Sequence, residues 1–197
     1  MAEKLVKGEK KRKVAWGITG SGDKLPETIS VMREVKEEYQ NEVDIRVYLS
    51  KAGEQVAKWY RLFDLLKQNF ERVSVEVNPN SPFLAGDVQM RKYEFLLVAP
   101  ATSNTVAKIA AGIADTLLCN SSVMALKALV PVYIMPSDYA EGTVVTRLPT
   151  GQDFTLRIRK EDAENVRKLS IMDGVSLLEK PEGIYQVFKK HFRPEAR

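Results

Sequence analysis

The fold is decided by residues 13–39, whose sequence is KVAWGITGSGDKLPETISVMREVKEEY. Positions 14–18 form a short continuous apolar run, which is the pattern of a β-strand buried on both faces. Small residues follow at positions 19–22. Apolar residues then recur every three or four positions, as on the buried face of a helix, at Ile29, Met32, Val35 and Tyr39. Because Pro26 is tolerated in the first turn of a helix, the stretch predicts one β-loop-α unit.

The same unit recurs along the chain. Strands are predicted at residues 43–49, 73–77, 93–99 and 131–135, and helical patterns lie around residues 56–66, after residue 105 and at residues 117–129. Strands that alternate with helices favour a parallel sheet with helices on both faces. We therefore predict an α/β fold, a Rossmann-like or flavodoxin-like three-layer arrangement with a mainly parallel sheet. Right-handed crossovers place the strand-exit loops of such a sheet at one edge, where ligands bind.

Two regions depart from this repeat. Residues 1–12 are rich in lysine and predict a basic flexible tail, which is either a solvated chain end or a docking patch for an acidic partner. Residues 13–197 predict a single domain. Within it, residues 136–180 predict an excursion from the sheet that carries a β-hairpin, and residues 181–192 predict a terminal helix.

The composition of the 197-residue chain excludes several kinds of functional site. A single cysteine, Cys119, cannot form an intramolecular disulfide or a cysteine-based structural zinc site. A single histidine, His191, rules out a metal centre or a catalytic system built from several histidines. We therefore predict neither a bound metal nor a catalytic side chain.

The net charge and hydropathy of the chain indicate which binding partners and which cellular location to expect. The formal net charge of +4 does not mark a dedicated nucleic-acid binder. No apolar run approaches the roughly 20 residues that span a bilayer, and the N-terminus lacks the apolar segment of a signal peptide. We therefore expect a cytoplasmic protein that binds neither a membrane nor nucleic acid.

The first predicted strand is followed by Thr19, Gly20, Ser21 and Gly22. Glycines at a strand exit before a helix let the backbone approach a phosphate, but the same residues also form a simple turn. The spacing is not Gly-x-Gly-x-x-Gly, because Leu25 stands where the third glycine belongs, and no Gly-Lys-Ser/Thr follows. The sequence therefore argues against NAD and ATP as ligands.

Two further strand exits carry polar side chains. Ser50 and Lys51 follow the second strand, where they either meet the same phosphate or serve as a helix cap and a solvent-facing lysine. A row of hydroxyl and amide side chains follows the fourth strand, in the segment Pro100, Ala101, Thr102, Ser103, Asn104 and Thr105. One of these side chains suffices to cap a helix. The others favour hydrogen bonds to a polyol or to the polar edge of a planar heterocycle.

This last segment closely resembles the Pro-Ala-Ser-Ala-Asn-Thr signature of the homo-oligomeric flavin-containing cysteine decarboxylase superfamily, whose Rossmann-like fold binds FMN. The resemblance covers approximately residues 13–136 and includes the stretch KIAAGIADTLL at residues 108–118. It implies that the FMN phosphate binds at Gly20, Ser21, Gly22 and Ser50. It likewise implies ribityl and ring contacts from Thr102, Ser103, Asn104 and Thr105. The remaining residues of the expected FMN site adjoin these and are Thr19, Lys51, Pro100 and Ala101.

Departures from the superfamily pattern argue against cysteine decarboxylation. The decarboxylases carry a histidine upstream of the signature proline, in the neighbourhood where this chain has Ala-Gly-Asp at residues 85–87. Residues 136–139 read PSDY where the decarboxylases have the substrate-binding motif Pro-x-Met-Asn. The C-terminal region of this chain also lacks the cysteine that the decarboxylases use. Here Asp138 either orients a substrate or starts a turn. The prenyl-flavin synthases are also a poor match, because Asn120 stands where they have an arginine.

The chain is more similar to the archaeoflavoproteins and to the related flavoprotein dihydromethanopterin reductases, through GITGSG at residues 17–22 and the hairpin-bearing segment. Archaeoflavoproteins accept electrons from ferredoxin. The basic tail, with Arg157, Arg159 and Lys160 near the hairpin, would offer a positive surface to such an acidic partner.

The resemblance therefore implies an FMN-binding redox flavoprotein that accepts electrons from reduced ferredoxin and passes them to an unidentified acceptor. The alternative is an FMN-dependent reductase whose substrate is the pterin dihydromethanopterin, and a third is a non-redox protein that binds another nucleotide at the first loop. The resemblance also implies a homo-oligomer, trimer-based or larger.

Overall fold

The computed structural model describes residues 10–193, in which strands and helices alternate. The strands are β1 (Arg12–Ile18), β2 (Val43–Leu49), β3 (Arg72–Val75), β4 (Leu96–Ala101), β5 (Val132–Pro136), β6 (Gly142–Arg147), β7 (Asp153–Ile158) and β8 (Val175–Leu177). The helices are α1 (Leu25–Glu38), α2 (Lys51–Trp59), α3 (Phe63–Asn69), α4 (Leu84–Gln89), α5 (Ser103–Ala110), α6 (Leu117–Lys127), α7 (Lys160–Ser170) and α8 (Gly183–Phe192).

Six strands form one sheet in the order β3-β2-β1-β4-β5-β8, and every neighbouring pair in it is parallel. The strands β6 and β7 pair antiparallel as a separate hairpin. The predicted α/β class, with a mainly parallel sheet and a hairpin, is confirmed. The strand order is that of a Rossmann fold. The sequence of strands across the sheet reverses between β1 and β4, so the loops after these two strands lie side by side.

The strand β1 lies between two hydrophobic cores, one on each face of the sheet. Val14, Trp16 and Ile18 belong to one core, and Ala15 belongs to the other. Trp16 is fully buried, and its indole Nε1 donates a hydrogen bond to the carbonyl oxygen of Ala99 in β4 at 2.7 Å. A strand covered on both faces needs apolar residues at every position, which explains the continuous run in the sequence.

A close backbone approach fixes the position of α2 against β1. A Cβ placed on Gly53, in the first turn of α2, would lie 2.5 Å from the carbonyl oxygen of Ile18. The same carbonyl oxygen accepts a hydrogen bond from the N–H of Ser50 at 2.9 Å. These contacts bring the N-terminus of α2 to the end of β1.

The structure corrects several predicted boundaries. The helix predicted around residues 56–66 is two helices, because the chain turns at Arg61, which has a φ of 58°. The short helix α4 was not predicted, since its 6 residues are too few to give a periodic pattern. The strand β4 starts at Leu96 and continues through Ala101, so the loop expected from Pro100 onward begins two residues later.

The predicted excursion at residues 136–180 is too long. The strand β8 returns to the sheet and pairs with β5, and its Val175 and Leu177 pack against the second core. The edge of β5 is thereby paired, and β8 is the last strand of the sheet. Residues 1–9 of the predicted basic tail lie outside the described residues, and β1 begins at Arg12.

None of the helices between residues 10 and 193 combines the length and the apolar character needed to cross a membrane.

We predict that Gly53→Ala lowers the free energy of unfolding by about 1–3 kcal/mol, because the added methyl group overlaps backbone that cannot move aside. Urea denaturation followed by circular dichroism measures the change. Gly183→Ala is the matched control, because Gly183 also lies in the first turn of a helix and its nearest neighbour is a side-chain atom of Leu178 at 3.2 Å. Equal stability of the two variants would contradict the assigned role of Gly53.

Candidate functional site

A cleft lies at the carboxyl ends of β1 and β4, where the strand order reverses. Ligands of open α/β sheets bind at such a topological switch point. The cleft has a volume of about 250 Å³ and is bounded by the loops after β1 and β5, the start of α5 and the hairpin. Its lining residues are Gly20, Ser21, Gly22, Asp23, Tyr60, Thr102, Ser103, Ser137, Asp138, Val144, Thr146 and Leu156.

Thr19 ties the two strand exits together. Its Oγ1 donates a hydrogen bond to the carbonyl oxygen of Pro100 at 2.8 Å and accepts one from the N–H of Thr102 at 2.8 Å. Its own N–H donates to the same Pro100 oxygen at 3.2 Å. Thr19 is buried, and both hydrogen bonds of its hydroxyl join it to the neighbouring strand exit. It therefore aligns the two strand exits that border the cleft.

The glycine loop after β1 leaves backbone donors free. The N–H of Ser21 donates to the carbonyl oxygen of Thr19 at 2.9 Å, whereas those of Gly20 and Gly22 donate to no other residue within the described part of the chain. Free amides in a glycine-rich turn at a strand exit are a site for phosphate or another anion.

Both glycines pack closely against neighbouring side chains. A Cβ on Gly20 would lie 2.7 Å from the Cβ of Ala52 in α2, and a Cβ on Gly22 would lie 2.4 Å from the ring of Tyr60. The loop therefore lies between the first turn of α2 and the aromatic ring that follows this helix. The positive end of the α2 dipole adds to the attraction of the loop for an anion.

The residues from Pro100 to Asn104 include some that are buried, some that line the cleft and one that is exposed. Pro100 and Ala101 are buried in β4. Thr102 caps α5, since its Oγ1 accepts a hydrogen bond from the N–H of Thr105 at 3.3 Å. Thr102 and Ser103 line the cleft, whereas Asn104 is exposed outside this lining.

Ser50 and Lys51 flank the cleft without lining it. The Oγ of Ser50 accepts a hydrogen bond from the N–H of Gly53 at 2.9 Å, which makes Ser50 the N-cap of α2. Lys51 is exposed at the first position of that helix. The cap interpretation of Ser50 is thus observed.

The loop after β5 contributes lining residues that the sequence did not single out as cofactor contacts. Ser137 is buried, and its Oγ donates a hydrogen bond to the Oγ of Ser21 at 2.7 Å. Asp138 accepts a hydrogen bond from the hydroxyl of Ser103. Ser21 of the glycine loop and Ser103 of α5 are therefore hydrogen-bonded to side chains that are adjacent in sequence.

Asp23, at the end of the glycine loop, has one carboxylate oxygen that is withdrawn from solvent. Its Oδ2 is shielded from solvent and has no hydrogen-bond partner within residues 10–193. Burial raises the pKa of this carboxyl group, and the charges of Glu27 and Asp138 raise it further. The nearby Lys24 ammonium opposes these effects from 4.0 Å.

The hairpin covers one side of the cleft. Val144 and Thr146 of β6 and Leu156 of β7 line it, and the Tyr60 hydroxyl donates a hydrogen bond to the carbonyl oxygen of Arg147 at 3.2 Å. Tyr60 thus connects the hairpin to the glycine loop. The structure places the ring of Tyr60 against Gly22.

A larger groove of about 650 Å³ lies elsewhere, lined by the ends of β1, β2 and β3 opposite the cleft. It contains none of the predicted site residues. Residues 10–193 contain no group of three or more histidine, cysteine, aspartate or glutamate side chains that could hold a metal ion.

The chain is similar to several proteins of known sequence. The sequence model of the Flavoprotein family matches residues 3–181. The uncharacterized protein MJ0730 of Methanocaldococcus jannaschii is 54% identical over 179 residues, which cover 91% of this chain and 95% of that protein. The dihydromethanopterin reductase (acceptor) of the same organism is 31% identical over 235 residues, with 89% of this chain and 95% of that protein covered.

A solved structure shares the fold over nearly the whole chain. It is DmrB of Burkholderia xenovorans in complex with FMN, described as a cubic protein cage for redox transfer. The TM-score is 0.76 at 28% identity, and the match covers 92% of this chain and 96% of that chain. The match to the family model over most of the sequence, the curated relatives and this structure agree with the resemblance stated from the sequence, and the chain belongs to the Flavoprotein family.

Proposed function

We propose that this chain is an FMN-dependent reductase that delivers a hydride to a dihydropterin and receives its electrons from reduced ferredoxin. The observation that carries the proposal is the cleft at the switch point, where the free amides of Gly20 and Gly22 lie beside the hydroxyls of Ser21, Thr102 and Ser103. The similarity to a dihydromethanopterin reductase supports the choice of substrate class.

The residues of the cleft fit FMN. The free amides of Gly20 and Gly22, the Ser21 hydroxyl and the N-terminus of α2 capped by Ser50 would hold the phosphate. The hydroxyls of Thr102 and Ser103 would contact the ribityl chain and the ring edge. When bound, FMN supplies the redox chemistry, since it takes up electrons singly or in pairs and gives up a hydride. The chain's own residues bind and orient the reactants.

Reduction of a dihydropterin adds a hydride to the carbon and a proton to the nitrogen of its C=N bond. Bound FMN would supply the hydride. Among the described residues, the cleft lining contains no histidine, lysine or arginine, so solvent water would supply the proton. The absence of the upstream histidine and of a C-terminal cysteine in the sequence supports a reductase over a decarboxylase.

The second candidate is an electron carrier that passes ferredoxin electrons to another protein. It is favoured by the exposed basic residues Arg157, Arg159 and Lys160 beside the hairpin that covers the cleft. Two of these positive charges are paired with carboxylates of α7. Arg159 donates hydrogen bonds to Asp162 at 2.7 and 2.9 Å, and the ammonium of Lys160 lies 3.8 Å from Glu164. A positive docking surface would therefore depend mainly on Arg157 and residues near it.

The hairpin also supports a homo-oligomer. Val145 on β6 is 60% exposed, and Phe154 and Leu156 on β7 are 47% and 45% exposed. Phe154 and Leu156 share the face of the hairpin that borders the cleft, whereas Val145, which pairs with Thr155, lies on the other face. Exposed apolar side chains on both faces of one small sheet are typical of a segment that another protein covers. We propose that a second copy of this chain covers it, in an assembly of three or more subunits.

We predict that Thr19→Val raises the dissociation constant of FMN about tenfold, which corresponds to about 1.4 kcal/mol, because the two strand exits lose the hydrogen bonds that align them. Titration of FMN into apoprotein measures this change. Thr28→Val is the matched control, because its buried hydroxyl also donates to a backbone carbonyl, that of Lys24, within α1. Both variants lose stability, but a comparable loss of FMN affinity in Thr28→Val would refute the role of Thr19.

We predict that the FMN-loaded, reduced protein consumes one equivalent of a 7,8-dihydropterin anaerobically while its flavin absorption returns. Reduced ferredoxin is used as the electron donor, with dithionite as the control donor. Persistence of the reduced flavin with the pterin unchanged would favour the carrier. Reduction by dithionite but not by ferredoxin would reject the ferredoxin donor and leave the reductase intact.

We predict that the purified chain sediments as an oligomer of three or more subunits and that Val145→Glu dissociates it, because a buried carboxylate in the interface has no partner. Analytical ultracentrifugation measures the mass. Ile171→Glu is the control, because Ile171 is 86% exposed at the end of α7, away from the hairpin. A monomeric wild type would contradict the proposed assembly.

A further inference from the structure

The larger groove at the amino ends of β1, β2 and β3 is lined mainly by cations, and we refer to it as the basic groove. Its positive side chains come from the segment that enters β1, from the end of α1, from β2 and from the start of β3. They are Lys10, Lys11, Lys13, Lys36, Arg46 and Arg72. The acidic side chains among its described lining residues are Asp44 and Glu71. The groove therefore carries an excess of positive charge.

Three of these cations lie on one face of three neighbouring strands. Arg46 of β2 pairs in register with Arg72 of β3, and Lys13 of β1 pairs with Asp44, two positions before Arg46. Residues two apart in a strand share a face, and side chains that are paired in register point to the same side of the sheet. Neighbouring strands are about 4.8 Å apart, so Lys13, Arg46 and Arg72 form a row about 10 Å wide across the strands.

The protein compensates this row only in part. The Nε of Arg46 donates a hydrogen bond to the Oδ2 of Asp44 at 3.1 Å, whereas Lys13 and Arg72 form no salt bridge with any residue between 10 and 193. Like charges that face each other across a sheet are destabilising. The charge of Arg46 accordingly lowers the pKa of the Lys13 ammonium, and burial lowers it further, against the opposing charges of Asp44 and Asp87. An anionic group beside the row would relieve this repulsion.

The chemistry of the lining favours carboxylates over phosphates. No glycine of the described residues lines the groove, so it lacks a glycine-rich turn whose amides could bind a phosphate. The helix α1 contributes Lys36 from its last turn, and the dipole at that end of a helix repels anions. The attraction for an anion therefore comes from the side chains, and lysine and arginine form charge-assisted hydrogen bonds with carboxylates.

Nucleic acid fits the same lining poorly. Proteins that bind single strands stack the bases on exposed aromatic rings. Among the residues that the structure describes, no aromatic side chain lines the basic groove. The anions that match it best are therefore the acidic side chains of a protein.

The shape of the groove favours an extended chain segment. Residues 10–13 lie at one side, Glu71 and Arg72 lie at the other, and β2 runs between them, around a volume of about 650 Å³. An extended chain advances about 3.3 Å per residue, so three of its residues match the width of the row of cations.

We propose that the basic groove docks an acidic, extended segment of another protein, whose aspartate and glutamate side chains bind Lys13, Arg46 and Arg72. Lys10 and Lys11 are exposed at the entry to β1 and add long-range attraction, which speeds association. The groove is separated from the cleft by the length of β1, whose 7 residues span about 23 Å. The proposal therefore stands independently of FMN and of the pterin.

The test uses a rhodamine-labelled decaglutamate peptide and the FMN-loaded protein, with binding followed by fluorescence anisotropy. We expect the dissociation constant to rise at least about tenfold between ionic strengths of about 0.05 M and 0.3 M, because salt screens the exposed charges. A labelled oligonucleotide of ten thymidines is the competing probe. Absence of peptide binding at the lower ionic strength would overturn the proposal, and so would tighter binding of the oligonucleotide than of the peptide.

The double variant Lys13→Glu with Arg72→Glu is expected to weaken peptide binding at least about tenfold, because it reverses both ends of the row. Lys127→Glu with Lys168→Glu is the matched control. It changes the net charge equally, at two exposed lysines in the last turns of α6 and α7 that do not line the groove. We expect the control to weaken binding less than about threefold. Equal weakening by the two double variants would refute the groove as the docking site.

A gain in affinity supplies a second readout that damage to the fold would not produce. Glu71→Gln removes an exposed acid from the lining and is expected to tighten peptide binding about twofold to threefold. Unchanged or weaker binding by this variant would count against the proposal.

Circular dichroism checks that each variant is folded. If Lys13→Glu with Arg72→Glu does not fold, Lys10→Glu with Lys11→Glu replaces it with the same expectation, since both lysines are exposed. FMN content and dihydropterin consumption are measured on the same samples and should match the wild type. Failure of the reductase function would appear in the wild type as unconsumed dihydropterin and would leave the peptide titrations unaffected.

Discussion

The hydroxyl of Thr19 is the interaction on which the cleft depends. It donates to the carbonyl oxygen of Pro100 and accepts from the N–H of Thr102, so the exits of β1 and β4 are locked to each other. The paired register of β1 and β4 ends at Gly17 and Val98, so it does not by itself fix the spacing of the residues beyond it. Thr19 sets that spacing from within the protein, and its burial keeps water from competing for the bonds.

Around this link the cleft combines neutral polar groups with two acids. The glycine loop and the cap of α5 offer neutral donors and acceptors, which suit a phosphate and a polyol. The loop after β5 ties both of them through Ser137 and Asp138. The two acids adjoin these neutral groups, since Asp23 follows Gly22 and Asp138 accepts a hydrogen bond from Ser103. In the proposed function, such a lining binds and orients the reactants.

Local sequence was enough to predict the residues that lie next to a strand end. Gly20, Ser21, Gly22, Thr102 and Ser103 line the cleft as expected, because strand exits in a parallel sheet meet at one edge. Their contacts with FMN remain a proposal. Ser50 and Lys51 were predicted on the same ground and lie beside the cleft, because a cap hydroxyl turns toward its own helix. Asp23 stood in the quoted loop, but nothing local indicated that its Oδ2 is shielded from solvent.

The sequence by itself determined the α/β class, the parallel sheet and the polar strand exits, because apolar periodicity and turn residues are local properties of the chain. Only the tertiary structure decided which polar groups meet. Ser137 reaches Ser21 across 116 positions, and Tyr60 packs on Gly22 after a turn that splits one predicted helix. The position of β8 beside β5 likewise depends on the unpaired edge of a folded sheet. These contacts join residues that are distant in sequence, and a pattern read along the chain carries no information about such pairs.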